Sequence, residues 1–131
     1  MMQNLAGARA EPSDDRPLFA VTAAWSFLHC LRGLACRPEL ASGEGLLIPG
    51  DAVHTFFLRY PIDTLFLDGE LRVLKVSSNV RPWHGYIGCP HASMVLEVRR
   101  GTAASLGIVC GTRVRVEIEG FDTVPCAGGV R

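Results

Sequence analysis

From Leu46 onward, short runs of branched and aromatic residues are cut at close intervals by Pro49-Gly50-Asp51, Pro61, Asp68-Gly69, Cys89-Pro90, Gly101 and Gly107. This punctuation leaves room for strands of roughly four to eight residues and for almost no helix. Leu46 to Ile48 reads as a buried strand. Val53 to Tyr60 reads as a central strand, because His54, Phe56, Leu58 and Tyr60 share one face, Val53, Thr55, Phe57 and Arg59 share the other, and both faces are largely apolar. Ile62 to Leu67 is a further strand. Asp68-Gly69 then supplies residues that tolerate the positive φ of a tight hairpin, and Leu71 to Val76 returns antiparallel.

The polar stretch Ser77 to Pro90 reads as the longest ordered loop, a place where function often lies. Met94 to Val98 is a strand. Gly101-Thr102 opens a single helical turn, Ala103 to Leu106, with Thr102 as N-cap and Gly107 as the closing residue. In the last strand Val114, Val116 and Ile118 face inward and Arg113, Arg115 and Glu117 outward. At the other end of the chain, Leu18 to Val21 is a first strand and Thr22 an N-cap for a helix from Ala23 to about Leu34, with Trp25, Leu28 and Leu31 on its buried stripe.

These elements predict a mainly β (α+β) domain, a small antiparallel β-barrel or sandwich with one covering helix and one short helical turn. The 131 residues are enough for one domain and too few for two. That domain is expected over 18–119, with a disordered tail at 1–17, rich in Ala, Gly, Pro, Ser and acids, and a mobile Gly-rich tail at 120–131.

Thirteen basic residues balance thirteen acidic ones, and no run of like charge stands out. Nucleic acid is therefore not an expected partner. No apolar run approaches the roughly 20 residues of a membrane span. The start of the chain lacks the charged and apolar segments of a secretory signal, so a cytoplasmic location is expected. Cys30, Cys36, Cys89, Cys110 and Cys126 form an odd set without a C-x-x-C pair, which argues against a disulfide framework and a zinc ribbon.

Several segments in order carry a family resemblance: Trp25 to Leu34, Gly43 to Ile48, His54 to Asp63, Phe66-Leu67-Asp68, Asn79 to Trp83, Val95-Leu96-Glu97, Gly101-Thr102-Ala103 and Leu106-Gly107. Together they resemble the family called domain of unknown function 192, over roughly residues 20 to 117. The resemblance implies a compact β-rich domain and no particular activity. Some relatives carry export or lipid-attachment segments or lie near pilus-assembly genes, which implies a role at the cell envelope. This chain departs from the pattern at Leu58, where relatives often have Met, and at Gly50-Asp51, where a subgroup has Cys.

The residues themselves offer one polar constellation. His54 and Asp63 flank the strongly apolar segment, with Arg59 between them and Trp83 in the long loop. An imidazole beside a carboxylate is the arrangement of a general base with its orienting acid, but no nucleophile accompanies it. As a structural acid, Asp63 would instead cap backbone amides or pair with an arginine. Cys89, His84 and His91 have zinc-ligand chemistry at spacings that make a poor zinc site, so no metal and no cofactor is expected.

The resulting expectation is a non-enzymatic binding or accessory module whose shallow pocket, built from His54, Arg59, Asp63 and Trp83, takes a small ligand or a partner protein. An enzyme of hydrolase or lyase type using His54 and Asp63 is the first alternative. It requires the two side chains to share one side of the sheet. A structural interaction protein of an envelope or pilus assembly, for which a homodimer is one expected form, is the second.

Overall fold

A computed structural model describes residues 15–23, 39–54, 60–82 and 85–121. Its eight described strands are β1 (Leu18–Ala23), β2 (Glu44–Pro49), β3 (Ala52–His54), β4 (Ile62–Leu67), β5 (Val73–Val80), β6 (Tyr86–Gly88), β7 (Met94–Arg99) and β8 (Arg115–Phe121). The one described helix is α1 (Thr102–Leu106). Six strands form one sheet in the order β5-β4-β7-β2-β1-β8, while β3 and β6 pair as a separate ribbon.

The chain is mainly β, as expected, but the sheet is mixed. β5, β4, β7 and β2 are antiparallel neighbours. β1 runs parallel to both β2 and β8. Parallel pairing needs a crossover connection and cannot be read from local turn chemistry. It also corrects the reading of Thr22 as a helix N-cap. Thr22 pairs with Leu46 and Gly120 as a strand residue, and β1 continues through Ala23. The remainder of the expected helix, residues 24–34, lies outside the described residues.

The sheet is not closed into a barrel. Just before its two outer strands begin, Arg72 and Arg113 form an isolated bridge, the one such bridge among the described residues. There Val73 N–H donates to Thr112 O at 2.8 Å and Val114 N–H to Leu71 O at 3.0 Å.

Each face of the sheet builds its own core. On the first face Phe19, Val21, Leu47, Leu65, Leu67 and Leu96 pack with Ala103 of α1 and with Ile108 and Val114. On the second, Leu46, Ile48, Ile62, Phe66 and Val95 pack with Val53 and Ile87 of the ribbon. Every residue of β4 is buried, as a strand covered on both sides requires. Fully burying each such aliphatic or aromatic side chain contributes about 1.5–3 kcal/mol. Close approach between β2 and β7 is set by Gly45, where a Cβ would fall 2.7 Å from Leu96 Cδ1 and 3.2 Å from Glu97 O.

Three local readings change. The expected central strand at Val53 to Tyr60 is represented by β3, which pairs only with the short β6 outside the main sheet, and residues 55–59 lie outside the described residues. The central positions belong to β4 and β7. The expected loop Ser77 to Pro90 is half strand, since β5 runs to Val80 and β6 covers Tyr86–Gly88. β5 is an edge strand with Ser78 and Asn79 exposed, so its polar composition imitates a loop. Finally, Ile118 is 50% exposed on β8 although Val114 is buried as expected.

The hairpin between β4 and β5 forms, with the positive φ carried by Leu71 (64°). Asp68 organises that turn. Its Oδ1 accepts hydrogen bonds from Glu70 N–H at 2.8 Å and Arg72 N–H at 3.0 Å, and these bonds hold its carboxyl below the ordinary carboxylate range.

Candidate functional site

Asp63 lies on β4 opposite Val98 and is fully buried on the first face. Oδ1 accepts from Asn79 N–H at 2.8 Å, and Oδ2 accepts from Ala103 N–H at 3.0 Å. The first bond holds a residue with φ 52° where β5 is irregularly paired with β4, and the second ties the first turn of α1 to the sheet. Thr102 is therefore not the cap. Gly101 occupies the N-cap position at φ 84° without a side-chain bond of its own, and the Asp63 carboxylate supplies the missing acceptor from another strand. Gly107, at φ 67°, closes the helix as expected.

His54 sits on β3 with its backbone opposite Tyr86. The ribbon packs through Val53 and Ile87 on the second face, whereas the Asp63 carboxylate points into the first. The strand carrying His54 and the carboxylate it was expected to meet thus lie on opposite sides of the sheet. Arg59 and Trp83 lie outside the described residues. Of the four expected site residues, only Asp63 has a described side chain, and both of its oxygens accept from backbone amides.

An open groove of about 450 Å³ runs along β5 beside the ribbon, lined by Lys75, Ser77, Ser78, Asn79, Val80, Arg81 and Ile87. Lys75, the only lysine in the chain, donates from Nζ to Gly88 O at 2.9 Å and stands 5.5 Å from the centre of the Phe66 ring. That contact joins the edge strand to the ribbon across the groove. Trp83 falls in the chain between two lining residues, Arg81 and Ile87.

From the groove a polar row enters the second face: Ser77 pairs with Thr64, and Thr64 pairs with Glu97 on β7. Thr64 is completely buried and Glu97 is 3% exposed. Thr64 Oγ1 and Glu97 Oε1 both lack a hydrogen-bond partner among the described residues. Burial pushes the Glu97 carboxyl up to about 8, so it is mostly protonated at neutral pH. Sequence reasoning passed over this acid. The available signal was an ionisable residue inside Met94–Arg99, whose neighbours Val95, Leu96 and Val98 are apolar on both faces.

Two thiols lie among the described residues. Cys89 Sγ is 3.6 Å from Pro90 O, and the exposed Cys110 Sγ donates to Leu74 O at 3.3 Å. Among the described residues no three His, Cys, Asp or Glu side chains gather into a metal-ligand set, and no helix is long and apolar enough to cross a membrane.

Compared with known proteins, residues 9–116 match the profile of DUF192, described as an uncharacterized ACR. A UPF0127 protein of Thermococcus sibiricus is 27% identical over 99 residues, which cover 72% of this chain and 64% of that protein. A UPF0127 protein of Pyrococcus horikoshii is 33% identical over 64 residues, 49% of this chain and 55% of that one. The chain thus spans less than two thirds of the length of either relative. A crystal structure of a protein of unknown function from Novosphingobium aromaticivorans has the same fold, with a TM-score of 0.66 at 26% identity, covering 72% of this chain and 73% of that chain.

Proposed function

The chain belongs to the DUF192 family, and from that premise we propose that it is a non-enzymatic binding module that takes a small polar ligand in the groove between β5 and the ribbon. The observation that carries this reading is the composition of the groove lining. Lys75, Arg81, Ser77, Ser78 and Asn79 line it, with no carboxylate among its described lining residues, in a volume within the range of about 300–1,000 Å³ usual for small-molecule sites. Lys75 and Arg81 supply charge, Ser77 and Asn79 supply directional hydrogen bonds, and Ile87 gives an apolar wall. His54 has its backbone on the strand paired with β6, and Trp83 lies outside the described residues, so both stay in this reading as expected contacts. Asp63 acts in this reading as a positioning residue, because its bond to Asn79 holds one lining residue in place. Arg59 remains an expected contact without a described position.

The same geometry weakens the hydrolase or lyase alternative, since the ribbon carrying His54 lies across the sheet from the Asp63 carboxylate.

Thermal-shift screening of small polar compounds against wild type, Lys75→Gln and His54→Ala tests the proposal, with native mass spectrometry of each hit. A compound that raises the melting temperature of wild type but not of Lys75→Gln supports it. Failure of every compound to stabilise wild type, or equal stabilisation of Lys75→Gln, overturns it.

A further inference from the structure

A second groove, of about 470 Å³, opens where the starts of β1 and β2 meet the end of β7 and the head of α1. It shares no lining residue with the groove along β5. Arg99, Arg100, Ser42 and Ser105 are among its lining residues, and no carboxylate-bearing residue is among the described residues that line it. Glu44, the nearest acid along the chain to Ser42 and Gly43, accepts from Ala41 N–H at 3.0 Å through Oε1 and is thereby engaged in its own turn.

The two arginines differ in their commitments. Arg99 donates from Nη1 to Leu40 O at 3.1 Å, which fixes its side chain against the protein. Arg100 is exposed and follows directly after the strand. Adjacent arginines on a flat surface are ordinarily just solvated. Here they lie in a concavity together with Leu18 and Leu106, two large apolar side chains left 43% and 51% exposed. A planar guanidinium fork recognises an oxyanion through paired charge-assisted hydrogen bonds. Exposed leucines beside it favour a ligand that brings apolar surface of its own. A bare inorganic anion would satisfy the arginines and leave the leucines wet.

We propose that this groove binds a small amphiphilic anion, an aliphatic monocarboxylate whose head lies at Arg99 and Arg100 and whose hydrocarbon chain rests on Leu18 and Leu106. The inference is independent of the groove along β5, because the two linings have no residue in common.

Calorimetric titration with octanoate, and with acetate as the tailless comparison, tests it, alongside amide chemical shifts recorded on the wild-type protein. The expected result is saturable octanoate binding at least about tenfold tighter than acetate, with shifts centred on Gly101 to Leu106. Arg100→Gln weakens octanoate about tenfold or more, as loss of a charged hydrogen-bonding partner does. Leu106→Ser removes the preference for octanoate over acetate. Absence of saturable octanoate binding, shifts centred on residues 75–81, or an affinity indifferent to Arg100→Gln overturns the proposal.

Discussion

Thr64 and Glu97 stand directly opposite one another on β4 and β7, near the middle of the sheet, and each buries an oxygen that no described residue hydrogen-bonds. Opposed side chains on adjacent antiparallel strands have Cβ atoms about 4.5–5.5 Å apart, so the two unmet groups are neighbours. A folded protein rarely keeps such groups without a use or a bound partner.

Glu97 makes stability depend on pH in a definite direction. Its carboxyl is held at about 8 in the folded chain against an ordinary 4.5. Between those values the unfolded chain has released the proton that the folded chain retains, so stability falls as pH rises, by at most about 1.4 kcal/mol per pH unit. Below the lower value both states are protonated, and above the upper value both are ionised, so this contribution levels off at either end. Urea denaturation at pH 5 and pH 8 is expected to show wild type losing stability across that window and Glu97→Gln losing much less. Parallel curves for the two proteins would remove Glu97 as the source.

Thr64→Val replaces a buried hydroxyl that has no described partner with a methyl group of the same shape. Removing an unmet polar group in this way is expected to stabilise the fold by about 1 kcal/mol. The midpoint of chemical denaturation at fixed pH measures it. A loss of more than about 1 kcal/mol would mean that the hydroxyl has a partner in solution.

Asp63→Asn leaves the backbone N–H of Asn79 or Ala103 facing an amide NH2 in place of a carboxylate oxygen, because one side-chain amide cannot accept through both of its ends. A buried donor left unmet costs about 1–3 kcal/mol. Amide exchange is expected to accelerate at Ala103 and along α1, and at Asn79 on β5, before it does so in β1 and β2. Uniform acceleration across the sheet would instead mark Asp63 as a general packing residue.

What the sequence made legible was what local chemistry decides. Ile62–Leu67, Met94–Arg99 and the Gly107 cap follow from runs of apolar residues and from glycine's freedom at positive φ. The place of Thr22 in β1 depends on Leu46 and Gly120, partners that no nearby residue announces. Ser77 to Val80 has the composition of a loop because an edge strand can be polar on its open side. Capping of amides by Asp63 was among the readings the residues allowed, but its particular donors, Asn79 and Ala103, are distant in the chain. Lys75 is the lone lysine of the sequence, and its place in the groove depends on where Gly88 comes to lie.

Gly45→Ala tests the close approach of β2 to β7. The added methyl would meet Leu96 Cδ1 at 2.7 Å and Glu97 O at 3.2 Å, in a row where Leu96 is fully buried and the carbonyl belongs to a central strand. Neither neighbour moves without disturbing the sheet. Overpacking of this kind costs about 1–3 kcal/mol. A corresponding fall in denaturation midpoint is expected, with the native slope against denaturant retained.

Asp68→Ala removes the acceptor that both Glu70 and Arg72 amides use in the hairpin between β4 and β5. Because these bonds lower the carboxyl's affinity for protons, their contribution is present above the ordinary value of 3.8 and is lost as pH falls through the lower value of the folded chain. Faster amide exchange at Glu70 and Arg72 is therefore expected in Asp68→Ala at neutral pH, with β1 and β2 still protected. Acidification of wild type should loosen the same two amides. The bridge between Arg72 and Arg113 lies just beyond this turn, so weakening of the Arg113 contact, seen as faster exchange at Val114, would show that the hairpin also holds the segments leading into the two outer strands together.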